Sequence, residues 1–328
     1  AAMQAAIKEP IKALAAGISP MHQSIPGYPD KVDPRKAITM RGQLAEQAAF
    51  QTKIRAVRAA AEKDRMKRAA ELIAAEGNPP ATYAKALALL LLLRDCVDSK
   101  ADWSLVLDYI CKLPDLFANE PEVQENRAFA LAQVGNPTDA IAEIQTLIDF
   151  AGPTPERLGL MGGRYKRLAD DASDEDDRRQ RRDQAIDCYE RGMRLDFNAY
   201  YCSSNLPRLY RARAEKGDED LAQDTVRFAI AACERARSLK LADEWLRPTL
   251  LAAAFDLGEP DKAEELAVQV IAEGQAKWKV SSVLRDLQVS LQYVNDEAKR
   301  ARLSAVIDKI KGPPSRALPA SASAEPHR

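Results

Sequence analysis

The sequence has little of the residue type on which many enzymes depend. It contains two histidines, His22 and His327, in 328 residues. A Ser-His-Asp triad, a histidine dyad and a His-rich metal site are therefore nearly excluded, since each depends on well-placed imidazoles. We predict that the chain is not an enzyme and that it uses no cofactor.

The chain also lacks paired cysteines and long apolar runs. Its five cysteines include no CxxC motif, which is typical of reduced, buried thiols in a cytoplasmic protein. The longest apolar run, Ala86–Leu93, is far shorter than the roughly 20 residues that cross a bilayer. We expect no membrane partner.

No excess of charge points to a nucleic-acid partner. Lys plus Arg number 48 and Asp plus Glu 49, so the net charge is −1. Only the stretch from Arg35 to Glu76 is basic, with ten cationic and five acidic residues. We interpret it as a solvated helix face; nucleic-acid binding is the alternative, but aromatic residues for base stacking are nearly absent there.

What the sequence does contain favours helix. Alanine is abundant, glycine numbers only 14 and aromatic residues make up 6%. No segment alternates with a period of two, so we predict at least nine helices and no sheet. The fold class is therefore all-α.

Composition divides the chain into three parts. We predict a linker, or the end of a missing upstream domain, over residues 1–34, because residues 17–34 hold four prolines. We predict a repeat region over residues 35–311, which opens with an unbroken helix to about Glu76, and a disordered tail over residues 312–328. The first residue is not methionine, so we expect an effector or sensor domain to precede it.

Helix pairs of about 34 residues follow from residue 82 onward, which predicts an α-solenoid of tetratricopeptide-like hairpins. Small residues where two helices cross and bulky residues at the seams recur at matching offsets. The pair at 121–150 supplies Ala128, Leu131, Gly135, Ala140, Ile144 and Leu147, and the pair at 244–273 supplies Leu251, Ala254, Gly258, Ala263, Ala267 and Val270.

The third pair contains an acidic insert. Eleven extra residues, 170–180, separate Gly162 from Ala185, and six of them are acidic. We predict a solvated loop whose acidic half pairs with its basic half. The alternatives are a divalent-metal site and a regulated contact with a partner.

Cations on successive first helices suggest a binding groove. Lys166, Arg167, Tyr201, Arg208 and Arg211 fall at positions that line the concave face of such a solenoid. Together they predict a basic patch that receives an acidic peptide or a terminal carboxylate; plain solubility is the alternative.

Two other features favour packing over binding. Met161-Gly162-Gly163-Arg164-Tyr165 lacks the strand and the Lys-Ser/Thr ending of a phosphate loop, so we interpret its glycines as sites of close helix packing. We interpret Trp103, Trp245 and Trp278 as packing anchors rather than ligand platforms.

Several stretches resemble one known family. Gly163-Arg164-Tyr165-Lys166, then the acidic insert, then the segment 182–195, with Asn205-Leu206, resemble the TRAFs-binding domain, the tetratricopeptide-type central regulatory region of apoptosis signal-regulating kinases. Leu92-Leu93-Arg94-Asp95 and Ala276-Lys277-Trp278 fit the same family. The chain has no kinase motif. The resemblance therefore suggests a bacterial member of the family.

The resemblance implies a non-catalytic interaction scaffold or regulatory module of a signalling protein, with a protein partner or an acidic peptide as its ligand. Two alternatives remain: an intramolecular regulator of a missing upstream effector domain, and an RNA-binding helical repeat. An all-α enzyme fits the residues least well.

Overall fold

The computed structural model describes residues 34–77, 79–274 and 276–312. Fifteen helices and no strand occur in those residues, which confirms the predicted all-α class. The predictions made for residues 1–33 and for the tail from residue 313 lie outside the described residues.

The described chain forms two compact units, with the boundary between Leu72 and Ile73. Helices α1 (Pro34–Arg58) and α2 (Glu62–Glu76) follow each other in the chain. The predicted unbroken helix is therefore wrong. The break falls in a run of alanines, where the Nε of Arg65 donates a hydrogen bond of 3.1 Å to the carbonyl of Ala60. That bond satisfies one of the carbonyl groups left open where the helix ends.

The second unit contains the helix pairs. The helices in chain order are α3 (Tyr83–Asp95), α4 (Asp102–Cys111), the short α5 (Asp115–Ala118), α6 (Pro121–Val134), α7 (Pro137–Ala151), α8 (Pro155–Asp171), α9 (Glu175–Leu195), α10 (Tyr200–Arg213), α11 (Asp218–Ser238), α12 (Leu246–Asp256), α13 (Pro260–Glu273), α14 (Lys277–Gln292) and α15 (Glu297–Lys311). The short helix α5 was not predicted.

Ordinary capping residues set most of these boundaries. Proline occupies the first turn of α6, α7, α8 and α13, where its missing N–H costs no hydrogen bond. Gly135 ends α6 with a φ of 110°, a left-handed conformation that favours glycine. The Thr154 side chain accepts a hydrogen bond of 3.1 Å from the backbone N–H of Arg157 and so caps α8. Local sequence therefore dictates where these helices begin and end.

The predicted small positions do lie at buried helix crossings. Ala128 and Ala140 are buried in one cluster, and Ala254 and Ala263 are buried in another. A methyl group at such a site lets two helix backbones approach closely. The tetratricopeptide-like offsets are thus confirmed by burial in both pairs.

The acidic insert is helical, and its prediction as a loop is wrong. Only residues 172–174 separate α8 from α9, and the remaining insert residues lengthen these two helices. Asp174 accepts a hydrogen bond of 2.9 Å from the backbone N–H of Asp177 and caps the longer α9. The predicted pairing of acidic with basic residues is observed, for example between Asp177 and Arg181 at 3.0 Å.

Thiol chemistry gives a first testable prediction. All five cysteines are free and only Cys111 is exposed, so the prediction that all are buried is wrong for that residue. Burial raises the pKa of Cys188 to about 11 and those of Cys202 and Cys233 to about 12. We expect Ellman's reagent to modify one thiol rapidly in the folded protein and all five in urea, since only an accessible thiolate reacts.

The Cys111→Ser variant is the control for this measurement, because it should lose the rapid phase. Two or more thiols reacting at one fast rate would contradict the burial of the other cysteines.

Candidate functional site

A large cavity is lined by successive helix pairs. Its volume is about 1260 Å³, and its wall comes mainly from the first helices of successive pairs, α3, α6, α8, α10 and α12, together with α14. Because a solenoid turns the same face of each pair inward, residues that are far apart in sequence meet here.

Four of the five predicted groove residues lie in this wall, and two of them, Lys166 and Arg208, are cations paired with carboxylates. The Nζ of Lys166 donates hydrogen bonds to Asp286, at 2.8 Å, and to Asn205, at 3.0 Å. The Nη1 of Arg208 donates to Asp256 at 2.8 Å. The prediction from single helices did not include these carboxylates. They neutralise the two cations, so the wall around them is not an exposed basic patch.

The other predicted cations are also paired. Arg211 is mostly buried, 3.1 Å from Glu219 and 3.5 Å from Asp256. Arg167 is exposed and lies 3.5 Å from Asp171. No observation yet tests whether any of these residues binds a partner.

Tyr201 is fixed in the cavity wall by its own contacts. Its hydroxyl donates a hydrogen bond of 3.2 Å to the carbonyl of Gly159. Its ring meets that of Tyr189 edge to face, with centroids 6.2 Å apart. A Cβ on Gly159 would come within 2.4 Å of the Tyr201 ring, and one on Gly162 within 3.0 Å of the Tyr189 ring. The prediction that glycines in this helix serve close packing is thereby confirmed.

Burial and the neighbouring cations together set the pKa of the two buried carboxylates, Asp286 and Asp256. Burial disfavours the charge of Asp286, but Lys166 and Arg208 outweigh it and lower its pKa. Burial raises the pKa of Asp256. The guanidinium groups of Arg208 and Arg211 oppose that rise and favour the charged carboxylate. This network links α8, α10, α12 and α14.

Arg164 is the functional candidate that the sequence analysis missed. It lies on α8 in the cavity wall, and its guanidinium carbon is 5.0 Å from the centre of the Phe129 ring. Its buried Nη1 has no hydrogen-bond partner among the described residues. Burial lowers its pKa and Arg167 lowers it further, while the hydroxyls of Tyr201 and Tyr189 oppose the fall. Arg164 is thus a partly buried cation whose Nη1 has no partner among the described residues.

The three tryptophans of the chain meet at the same cavity. The ring centroid of Trp278 lies 5.8 Å from that of Trp103, 5.1 Å from that of Phe129 and 5.9 Å from that of Trp245. The tryptophans are packing anchors, as predicted, but they also line the cavity. Their packing role was predicted from the sequence, but their position in the cavity wall was not.

An acidic region lies in another part of the wall. The protein around Glu156 and the carboxylate of Glu125 raise the pKa of Glu156 to about 7, and Arg94 opposes the rise. Glu156 is nevertheless exposed, so contact with water weakens this effect. Glu125 itself forms an ion pair of 2.9 Å with Arg157.

Two kinds of feature are absent from the described residues. Among them, no group of three or more His, Cys, Asp or Glu side chains is arranged to hold a metal ion. No helix in the described ranges has the length and apolarity needed to cross a bilayer.

Comparison with known sequences identifies the repeat type. Residues 102–211 match the sequence model of the family described as Tetratricopeptide Repeats-Sensor. Comparison with the curated proteins gives no match.

Three solved structures match the chain at low sequence identity and low TM-score. A thermophilic tetratricopeptide protein from Thermus thermophilus, TTC0263, is 15% identical, with a TM-score of 0.40; the match covers 71% of this chain and all of the other. The human IFIT1 dimer with PPP-AAAA is 16% identical, with a TM-score of 0.45, over 76% of this chain and 54% of that one. A tetratricopeptide protein from Parabacteroides merdae is 14% identical, with a TM-score of 0.36, over 80% of this chain and all of the other.

The family match supports the repeat type but not the narrower resemblance. Nothing in these comparisons bears out the TRAFs-binding domain of apoptosis signal-regulating kinases or a bacterial origin. The helix pairs, their buried small positions and the family match together show that the chain contains a tetratricopeptide repeat region in an all-α solenoid.

Proposed function

We propose that this chain is a non-catalytic protein-interaction module that regulates a signalling protein in the cytoplasm. Its concave cavity receives an acidic segment of a protein partner. Tetratricopeptide solenoids commonly present an extended concave surface for binding. The description of the matched family as a sensor agrees with a regulatory role.

Arg164 is the observation that carries this proposal. A buried cation usually lies against a carboxylate, because leaving water without a partner costs several kcal/mol. The buried Nη1 of Arg164 has no hydrogen-bond partner among the described residues, and Arg164 lies in the cavity wall. A carboxylate of the partner would supply the missing ion pair, and a guanidinium group can hold it with two parallel hydrogen bonds.

Four of the predicted groove residues line the same cavity as Arg164. Tyr189 lies within electrostatic reach of both Arg164 and Arg208. Lys166 and Arg208 share Asp286, so their charges are already balanced and their positions fixed. In this proposal Arg164 binds the incoming carboxylate, while Lys166, Arg208 and Arg211 shape the wall and Tyr201 and Arg167 border the site.

A peptide-binding measurement tests the proposal. We expect a fluorescein-labelled hexaglutamate peptide to bind the full chain, and Arg164→Gln to weaken that binding at least tenfold. The reason is that a hydrogen bond to a charged group contributes about 1.5–3 kcal/mol. Binding should weaken in high salt, because the Debye length falls from about 10 Å at 0.1 M to about 3 Å at 1 M.

Arg191→Gln is the matched control, since Arg191 is exposed on α9 and pairs with Asp187 at 3.2 Å. Hexaglutamine should not bind. Equal affinity of the wild type and Arg164→Gln for hexaglutamate would contradict the proposal. Tighter binding of an oligouridylate than of the peptide would favour the RNA-binding alternative instead.

A further inference from the structure

The first turn of α14 reaches back to the first helix pair. The indole N–H of Trp278 donates a hydrogen bond of 3.1 Å to the backbone carbonyl of Arg94, 184 residues earlier in the chain. Next to it, Lys277 forms an ion pair with Asp98. The first helix pair and α14 are thus in direct contact at the cavity.

Aromatic and cationic side chains complete this contact. The Trp278 ring packs against Trp103 and Phe129, and the guanidinium carbon of Arg94 lies 5.7 Å from the Trp278 ring centre. Lys279 is buried and lies 3.4 Å from Asp95 and 5.3 Å from the Trp278 ring centre. We call residues 277–279, with Arg94, Asp98 and Trp103, the clasp.

The clasp differs from the interior packing of α14. Further along this helix, Val283 and Leu287 are buried in the apolar cluster shared with α12, α13 and α15. The contacts across to the first pair are of two kinds. Trp278 packs against the buried Trp103, and the buried Lys279 lies beside Asp95, whereas Lys277 and Asp98 are each about half exposed, at 51% and 46%. The exposed pair contributes little to stability, so it can open first, and a wider separation of the first turn of α14 must also break the Trp278 and Lys279 contacts.

The clasp is also part of the cavity wall. Arg94, Asp98, Trp103, Lys277 and Trp278 all line the cavity. A ligand in the cavity therefore contacts the groups that hold the clasp closed. If the ligand binds the open and closed forms unequally, it shifts the balance between them.

We propose that the clasp is a switch that controls access to the cavity and reports its occupation. In the closed form the Trp278 contacts restrict entry; when the clasp opens, the acidic segment reaches Arg164. This inference rests on the proposed function for the identity of the ligand, but the opening of the clasp can be measured without any ligand.

The ligand-free experiment uses Lys277→Glu, which places two like charges at the Lys277–Asp98 contact. All three tryptophans of the chain adjoin the clasp, so tryptophan emission reports its state without a label. We expect the emission maximum to move to longer wavelength and hydrogen exchange of the amides of residues 279–283 to accelerate at least tenfold. Lys262→Glu, which alters an exposed lysine paired with Glu265 on α13, should change neither signal.

Far-ultraviolet circular dichroism must stay unchanged for the result to count as local opening. Should Lys277→Glu unfold the chain, the milder Asp98→Asn provides the same test. Unchanged emission and unchanged exchange in a folded variant would show that the clasp is a fixed contact, and would overturn the inference.

A second experiment tests whether opening of the clasp controls entry into the cavity. The variant Asp98→Cys, Lys277→Cys is made in a Cys111→Ser background. Its two new thiols are bridged by a cleavable bis-methanethiosulfonate linker. We expect the bridged protein to bind labelled hexaglutamate at least tenfold more slowly, and reduction of the linker to restore the rate. An unchanged association rate would overturn the role of the clasp as a gate while leaving the proposed function intact. Failure of the unbridged protein to bind hexaglutamate would contradict the proposed function, and the ligand-free measurements would still decide whether the clasp opens.

Discussion

Replacing Asp256 with alanine is expected to lower the free energy of unfolding by about 3–5 kcal/mol, since it removes the nearest counter-charge of the buried Arg208. Asp256 accepts a hydrogen bond of 2.8 Å from Arg208 and one of 2.6 Å from the hydroxyl of Ser290. It also lies 3.5 Å from Arg211. The side chains of Arg208 and Asp256 are only 5% and 2% exposed, so water cannot replace the lost carboxylate.

Urea denaturation of the two proteins measures this effect. Asp261→Ala is the matched control: it removes an exposed carboxylate that pairs with Arg302, and we expect it to cost less than about 1 kcal/mol. The double variant Arg208→Met, Asp256→Leu should recover much of the lost stability, because apolar residues of similar volume often replace a buried ion pair without loss. A loss under about 1 kcal/mol for Asp256→Ala alone would show that Asp286 and Glu219 suffice to hold Arg208 and Arg211.

Replacing Gly192 with alanine is expected to lower the free energy of unfolding by about 1–3 kcal/mol through overpacking. Gly192 lies on α9, where a Cβ would come within 2.5 Å of the Cys202 sulfur and 3.4 Å of the Leu158 Cβ. The sulfur belongs to a fully buried side chain, so it cannot move aside into solvent. The clash therefore outweighs the roughly 1 kcal/mol by which alanine favours a helix over glycine.

A double-mutant cycle isolates this clash. In Gly192→Ala, Cys202→Ala the sulfur is absent and the remaining neighbours, Leu158 and the Cβ of residue 202, lie at 3.4 and 3.5 Å from the new methyl group. We expect the double variant to be at least about 1 kcal/mol more stable than the sum of the single effects predicts. Additive losses would show that Gly192 is needed for a reason other than the approach of α10.

The local features of the fold were predictable from the residues that carry them. The helix pair predicted at 121–150 corresponds to Pro121–Val134 and Pro137–Ala151, because the proline start and glycine end of the first helix are local signals. The small positions were predictable as well, since their spacing places Ala128 and Ala140 where two helices cross. Two features without such signals were mispredicted. The break after Arg58 falls within a run of alanines. The acidic insert is helical because Asp174 caps a longer α9.

The chemistry of the cavity was much less predictable. Sequence spacing shows which face of a helix a cation occupies, but not which residue lies opposite. Lys166 and Arg208 line the cavity, yet the carboxylates that neutralise them lie 120 and 48 residues away along the chain. Arg164 was named from the sequence in a packing segment but not as a binding residue. Its distinguishing property, a buried Nη1 without a partner among the described residues, depends on the tertiary structure.

The sequence by itself determined an all-α chain, the pairing of its helices and the small residues at their crossings, because these depend on propensity, caps and periodicity within some 34 residues. Only the tertiary structure decided which charges are neutralised, that three tryptophans from 103 to 278 meet at one cavity, and that α14 closes on the first pair. These features depend on how much each successive pair rotates against the last. That rotation results from the summed packing of many side chains rather than from any local signal.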